Sequence, residues 1–255
     1  MGITLHSNLT NGLSLLSLTS NLSVLYKSAE RLASGLRINR ASDDPAGLVI
    51  SEQLRSQIAS LNSEIDNISS VISKYQTVSS TVGELRSQLT DLRALAVAAA
   101  NEGGNSEEAQ QAYNTAAGAI VNTFNSTAQN AEFNGSRTLD GSEGSLAEVS
   151  ELTDIDLSTP QAAASSIQQI DGASAELDSV QTELGATQKN ELESRRASLQ
   201  VTRENLVAAE SQVRDADYGM EYARFVSSMI RTQVAMAMVA HTALNGAGVV
   251  RLMGL

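Results

Sequence analysis

Apolar residues return along this chain at helical spacings, and polar punctuation cuts them into long runs. From Leu54 they recur every seven residues at Leu61, Ile68, Tyr75, Val82, Leu89 and Ala96. A second stripe at Ile58, Ile65 and Ile72 drifts to Leu85 and Leu92. So sustained a seven-residue period predicts a helix with a coiled-coil-like seam. Over about 45–99 it would be on the order of 80 Å long. Asn101-Glu-Gly-Gly104 ends it, and Ser106 before Glu107 and Glu108 starts a helix reaching about Asn130. Phe133-Asn134-Gly135 reads as a turn, Arg137-Thr-Leu139 as a short strand and Asp140-Gly141 as a second turn. Leu152, Ile155 and Leu157 alternate as in another short strand. Ser158-Thr-Pro160 opens a further helical stretch, with Ile167, Ile170, Leu177, Val180 and Leu184 followed by Leu192, Leu199, Leu206 and Val213. Leu184 and Leu192 are eight apart instead of seven, so the seam must change locally there.

The two ends are alike in kind. Leu5, Leu9, Leu13, Leu16, Val24, Leu25 and Leu32 give the first helix an apolar face, and Ala223, Val226, Ile230, Val234, Ala237, Ala240 and Leu244 do the same for the last. Neither helix can bury that face alone, and isolated helices are marginal in water. Each therefore needs the other, or neighbouring subunits. Between the first helix and the long one lies a charged elbow. Gly35 suits the left-handed residue after a helix end, Asp43 or Asp44 can accept amide hydrogens of the next helix, and Pro45 fits its first turn.

Composition narrows the classes. The 255 residues contain 3% aromatics, no Trp and only two Pro, which suits long helices packed side by side rather than a compact core. A net charge of −12 with dispersed Lys and Arg disfavours a nucleic-acid partner. The absence of Cys removes disulfides, zinc-thiolate sites and thiol catalysis. No apolar run approaches the ~20 residues that span a bilayer, and residues 1–25 lack the basic region of a cleavable signal peptide.

No active site emerges. His6 and His241 are the only imidazoles, and no His-Glu-x-x-His spacing supports a catalytic metal. Asn101-Glu-Gly-Gly104 lacks the Lys-Ser/Thr of a phosphate loop. Asp43-Asp44 and Asp215/Asp217 read as helix starts or ion-pair partners of Arg37, Arg40 or Arg214 rather than an acid and base. Met220, Met229, Met236, Met238 and Met253 fit adaptable packing in a helix core better than a binding face. We expect neither metal nor cofactor, and no enzyme.

Two stretches carry a family likeness. Arg31-Leu-Ala-Ser-Gly-Leu-Arg-Ile-Asn39 with Ala41-Ser-Asp-Asp-Pro-Ala-Gly47 resembles the N-terminal signature of bacterial flagellin. Val213-Arg-Asp-Ala-Asp-Tyr218 with Glu221 is similar to the motif near flagellin C-termini. The order and separation are those of the family, and the likeness covers roughly residues 1–140 and 160–245. The tail Asn245–Leu255 departs from it.

The resemblance implies a mainly α fold: long antiparallel helices in a coiled-coil-like rod with a minor β-hairpin and turn region near 133–159. It implies terminal helices (1–43 with 216–255) that form an inner filament core, disordered in the free subunit and ordered on polymerisation. Residues 44–215 would form the outer core. Inter-subunit contacts would fall on Leu9, Leu13, Leu16, Leu25, Arg31, Leu36, Arg37, Asn39, Asp43, Asp44, Asp215, Asp217, Val226, Ile230, Val234, Ala237 and Leu244. The partners implied are further copies of the chain, a flagellar export chaperone, and hook-associated junction and cap proteins. The place implied is the extracellular flagellum, reached by type III export without a cleaved signal. Only residues 140–159 stand where many flagellins carry outer domains, so a smooth filament of core layers is expected. A segment similar to that read by a Toll-like receptor includes Asp91, Arg93, Leu95 and, on the next helix, Ala116. Asp91 replaces an Arg and Ala116 an acidic residue, which implies weak receptor activation.

The nearest alternative is the hook–filament junction protein, which shares both terminal motifs. An enzyme on a flagellin scaffold would need a catalytic insert for which the centre has no room. A coiled-coil adaptor would explain the heptads but not the two motifs.

Overall fold

The computed structural model describes residues 3–142 and 144–252, with side chains at 12–142, 144–242 and 244. Among these residues the elements are α1 (Ile3–Ser34), α2 (Pro45–Ala99), α3 (Glu107–Gln129), β1 (Glu132–Phe133), β2 (Ser136–Arg137), α4 (Pro160–Ala186), α5 (Ser194–Arg214) and α6 (Tyr218–Leu252), with a π-helical stretch Thr187–Glu193 between α4 and α5. The fold is mainly α, as the periodicity predicts. The chain divides into two compact units, Leu61–Thr202 and Met1–Ser60 with Arg203–Leu255.

In the unit Leu61–Thr202, the buried face of α2 is the expected double stripe: Ile65, Ile68, Ile72, Val78, Val82, Leu85, Leu89, Leu92, Ala96 and Ala99. One stripe steps from Ile72 to Val78, six residues instead of seven, and this is the drift seen in the sequence. Buried positions on α3 and just beyond it also return at seven: Gln110, Ala117, Phe124 and Ala131. On α4 they are Ala163, Ile170, Leu177 and Leu184. The three faces close one core, with Phe124 wholly buried inside it. Helix α4 runs antiparallel to α2, as Arg93–Asp171 (2.7 Å) and Arg86–Asp178 (2.9 Å) pair in opposite chain directions. The expected helix starts hold: Ser106 accepts the Ala109 amide, and Thr159 that of Ala162 ahead of Pro160.

The eight-residue step from Leu184 to Leu192 has a direct cause. A π turn takes up an extra residue within a helix, and the stretch Thr187–Glu193, which begins three residues after Leu184 and includes Leu192, lies at this step. The seven residues Thr-Gln-Lys-Asn-Glu-Leu-Glu bury no side chain fully, so the ladder is altered where core packing does not resist.

Two expectations change. Strand β2 is Ser136–Arg137, paired with β1 across Asn134-Gly135 (φ +52° and +77°), so it stops before Leu139. Leu152–Leu157 forms no strand, although Leu152 and Leu157 are buried. Side-chain amides take the place of a partner strand: Asn125 receives the Leu152 N–H and donates to its carbonyl, Asn114 receives the Leu157 N–H, and Gln110 donates to the Leu157 carbonyl. Alternation gave the correct inward residues, but amides on α3 satisfy the backbone.

Candidate functional site: the elbow and the terminal hairpin

The unit built from both chain ends brings the two motif stretches together. Helix α1 stops at Gly35, whose φ of +72° avoids the Cβ penalty and whose N–H donates to the Arg31 carbonyl. The next residues join the chain before α6 through main-chain bonds. Arg37 N–H donates to the Arg214 carbonyl (2.7 Å), and Ala216 N–H donates to that of Gly35 (2.9 Å). Leu36 and Asp215 thus form an antiparallel bridge. The Arg37 guanidinium reaches the Val213 carbonyl (2.6 Å), and the Tyr218 hydroxyl donates to the Leu32 carbonyl (2.8 Å).

The acidic residues divide the work. Asp44 caps α2, its carboxylate accepting the Gly47 N–H (2.9 Å). Gly47 leaves room for that cap: a Cβ would stand 2.5 Å from Asp44 Oδ2 and 2.7 Å from Ile38 Cδ1, so both side chains would have to shift. Asp43 turns back to fold the elbow. It pairs with Lys27 on α1 (2.6 Å) and accepts the N–H groups of Asn39 and Arg40. The hydrogen bond from the Lys27 ammonium, with those amides, holds the Asp43 carboxyl below the ordinary carboxylate range against the opposing effect of burial. Asn39 also donates to the Leu36 carbonyl (3.0 Å). Asp217 caps α6 through the Met220 N–H (3.0 Å), and Asp215 accepts the Ser211 hydroxyl (2.6 Å).

Ion pairing differs from the sequence expectation. Asp43 binds Lys27; Arg40 binds Glu30 (2.8 Å) and Arg214 binds Glu52 (3.0 Å). Arg31 approaches Glu221 (3.7 Å), which also accepts the Ser28 hydroxyl (2.7 Å). Glu221 belongs to the C-terminal motif, but Lys27, Ser28, Glu30 and Glu52 carry no signal in the sequence, since each is an ordinary helix-surface type. Only a model of which helices pair would have flagged them. Arg31 Nε and Arg214 Nε lie buried without a hydrogen-bond partner.

Helices α1 and α6 form an antiparallel hairpin, and of the apolar residues that the pattern singles out only some, Leu25 and Leu32 among them, lie in its seam. The positions turned inward on α6 are Glu221, Phe225, Ser228, Thr232, Ala235, Val239 and Thr242, alternating in steps of four and three. On α1 they are Ser14, Leu18, Asn21, Leu25, Ser28 and Leu32, in the same steps. That is a heptad seam made largely of small and polar residues. The other described residues of the expected apolar face lie elsewhere. Ala223, Ile230, Ala237 and Leu244 recur at seven in the position farthest from the seam, all exposed. Ile230 is 53% and Leu244 71% exposed, beside Val234 at 57%. Val226 is half-buried. On α1, Leu13 and Leu16 are 60% and 67% exposed, whereas Leu25 occupies the seam. A groove runs along the hairpin between Leu13 and Asn21 on one wall and Ile230, Val234 and Met238 on the other. The methionines are not core packing either, since Met220, Met229, Met236 and Met238 are all exposed. Leu5, His6, Leu9 and Met253 fall outside the described side chains, and His241 is exposed.

The receptor-like segment belongs to the other unit. Asp91 is exposed on α2, Arg93 is held by Asp171, and Leu95 and Ala116 are half-buried. Among the described residues no cluster of His, Asp and Glu could hold a metal ion, and no helix is long and apolar enough to cross a membrane.

Known proteins match both ends. The model of the bacterial flagellin N-terminal helical region matches residues 7–144, and that of the bacterial flagellin C-terminal helical region matches residues 167–253. A flagellin of Halalkalibacterium halodurans is 35% identical, over 86% of this chain and 88% of its own. A flagellin of Bacillus subtilis is 30% identical, over 88% and 90%. The flagellar filament 33 kDa core protein of Treponema phagedenis is 31% identical, over 87% and 89%. These matches span the elbow, the long helices and the terminal hairpin alike, and the chain belongs to the bacterial flagellin family, whose members are structural proteins and not enzymes.

Proposed function

We propose that this flagellin builds the shaft of the flagellar filament by adding to further copies of itself through the outer side of the α1–α6 hairpin and through the elbow. The apolar stripe Ala223, Ile230, Ala237 and Leu244 carries the reading. In a two-helix hairpin these are the positions most open to water, and they ordinarily hold polar residues. Apolar residues repeated there mark a surface meant for burial against other chains. Leu9, Leu13, Leu16, Val226, Val234 and Leu25 belong to the same layer, with Leu25 acting from inside the seam.

The terminal helices (1–43 with 216–255) would form the inner layer and residues 44–215 the outer. At the elbow Arg31, Leu36, Arg37, Asn39, Asp43, Asp44, Asp215 and Asp217 set the angle between α1, α2 and α6. The unpartnered Nε atoms of Arg31 and Arg214 are donors that a rearranged elbow could satisfy, as a filament changing its helical form requires. With no segment for an outer domain between Asp140 and Thr159, the filament surface is smooth. An export chaperone, junction proteins and a cap protein are the further partners, and type III export without a cleaved signal is the route to the cell exterior.

Seeded assembly of the purified chain, viewed by negative-stain electron microscopy, tests this directly. Long uniform filaments from the unaltered chain, lost in Ile230→Gln with the core of residues 61–202 still folded, are expected. Short stubs or discrete rings, where a control flagellin polymerises, would favour the junction protein. Undiminished filaments from Ile230→Gln would refute the assigned face.

A further inference from the structure

The methionines of α6 have a property that filament packing alone does not use. The chain contains no Cys and six Met. Four of these lie on α6 with their side chains open: Met220 is 54% exposed, Met229 38%, Met236 50% and Met238 55%. Met229 and Met236 are seven residues apart, each directly after a buried seam residue, Ser228 and Ala235. Met238 lines the groove with Leu13, Ile230 and Val234. So Met229, Met236 and Met238 border both the hairpin seam and the apolar face assigned above to neighbouring copies, and Met220 lies one turn before Ala223 of that face.

We propose that Met220, Met229, Met236 and Met238 form an oxidation site for hydroperoxides that decides whether a free subunit can join the filament. In the reaction a thioether sulfur donates its lone pair to the terminal oxygen of hydrogen peroxide. The O–O bond breaks, an S–O bond forms, the sulfur loses two electrons and the peroxide is reduced to water. The product sulfoxide is polar, chiral and strongly hydrogen-bonding, where the thioether was apolar and adaptable. On a surface that must lose its water on assembly, each sulfoxide adds a dipole to be desolvated without a partner. On the self-assembly reading the same sulfurs become covered in the filament, so that oxidation would act on free subunits and spare assembled ones. The inference rests on the self-assembly reading.

The test uses the full-length chain treated with hydrogen peroxide either before seeding or after filament formation. Peptide masses count one added oxygen per methionine, and sedimentation follows seeded elongation. We expect free subunits to lose elongation as sulfoxide accumulates at these four positions, and methionine sulfoxide reductase with a thiol reductant to restore it. The four residues should react more slowly in filaments. The variant Met220→Leu, Met229→Leu, Met236→Leu, Met238→Leu should elongate after peroxide treatment. Should that variant fail to fold, reversal by the reductase decides the question. Fully oxidised subunits that elongate as fast as untreated ones, or lost elongation that the reductase does not restore, would overturn the inference while leaving the filament reading intact. An untreated chain that never elongates would overturn both.

Discussion

Truncating Glu221 should raise the subunit concentration needed for filament growth about a hundredfold. Its side chain is 6% exposed within the α1–α6 hairpin. One carboxylate oxygen accepts the buried Ser28 hydroxyl at 2.7 Å; the other lies 3.7 Å from Arg31 and 3.4 Å from Arg224. Glu221→Ala leaves the Ser28 hydroxyl without its acceptor, a loss of about 1–3 kcal/mol. It also leaves Arg31, only 18% exposed and with its Nε already unpartnered, facing no carboxylate. Breaking a buried pair from one side costs about 3–5 kcal/mol. The long Arg31 contact and the exposure of Arg224 place this case at the lower end, about 3 kcal/mol. With each 1.4 kcal/mol worth a factor of about ten, the hundredfold follows if, as proposed, the hairpin orders as the subunit adds. Ser28→Ala, which keeps both cations beside the carboxylate, should cost about 1 kcal/mol. Glu221→Gln keeps an acceptor for Ser28 and should fall between the two. The critical concentration comes from sedimentation of seeded filaments. A value for Glu221→Ala within about twofold of the unaltered chain would show that this cluster does not hold the hairpin.

Gly47→Ala reverses a usual sign. Ala in a helix is ordinarily better than Gly by about 1 kcal/mol, but here the added Cβ meets Asp44 and Ile38, so thermal denaturation should show a less stable chain. Asp43 has a carboxyl held low by Lys27, so its contribution is present above the ordinary aspartate range of about 3.9 and is lost as pH falls through the lower folded value. Acid dissociation of filaments should therefore be shallower for Asp43→Asn; equal pH profiles would exclude the Asp43–Lys27 pair as a contributor. Deleting Asn190 should leave one uninterrupted helix and slow amide exchange over Thr187–Glu193, whereas deleting Gln200 throws Leu206 and Val213 out of register and should destabilise the chain. Equal effects of the two deletions would count against the π turn as the store of the extra residue. Purified monomer should be a weak activator of Toll-like-receptor reporter cells, because exposed Asp91 stands where an Arg is expected; potent signalling would end that reading.

The helices were legible because repeated spacing is a property of each segment alone. Pro45, Ser106 and Pro160 fixed where helices begin, and even the π turn showed as one residue too many between Leu184 and Leu192. What stayed hidden depends on which segments meet. Leu152–Leu157 alternates like a strand, but amides on Asn114, Asn125 and Gln110 satisfy its backbone. The elbow's motif residues were identifiable, yet their partners Lys27, Glu30 and Glu52 carry no local signature. For the terminal helices the apolar pattern indicates burial without saying whether against each other or against neighbouring subunits.

That distinction bears on how the ends of the chain behave. Coiled-coil hairpins hold together by burying apolar seam residues, each worth about 1.5–3 kcal/mol when fully buried. This seam offers Ser14, Asn21, Ser28, Ser228, Thr232 and Thr242 at positions where a self-sufficient hairpin would place Leu or Ile, while Leu13, Leu16, Ile230 and Leu244 lie outside. Polar seam residues specify register and add little stability. The hairpin is therefore well specified but weakly held, and on the proposed assembly the stabilisation it lacks lies on surface that another chain covers. Moving apolar residues inward should test this. Ser228→Leu with Ile230→Ser would strengthen the isolated hairpin while removing its assembly face. The variant should show more helix in the free subunit by circular dichroism yet fail to elongate seeds. Gaining both helix and filament growth would mean that the seam, not the outer stripe, limits assembly.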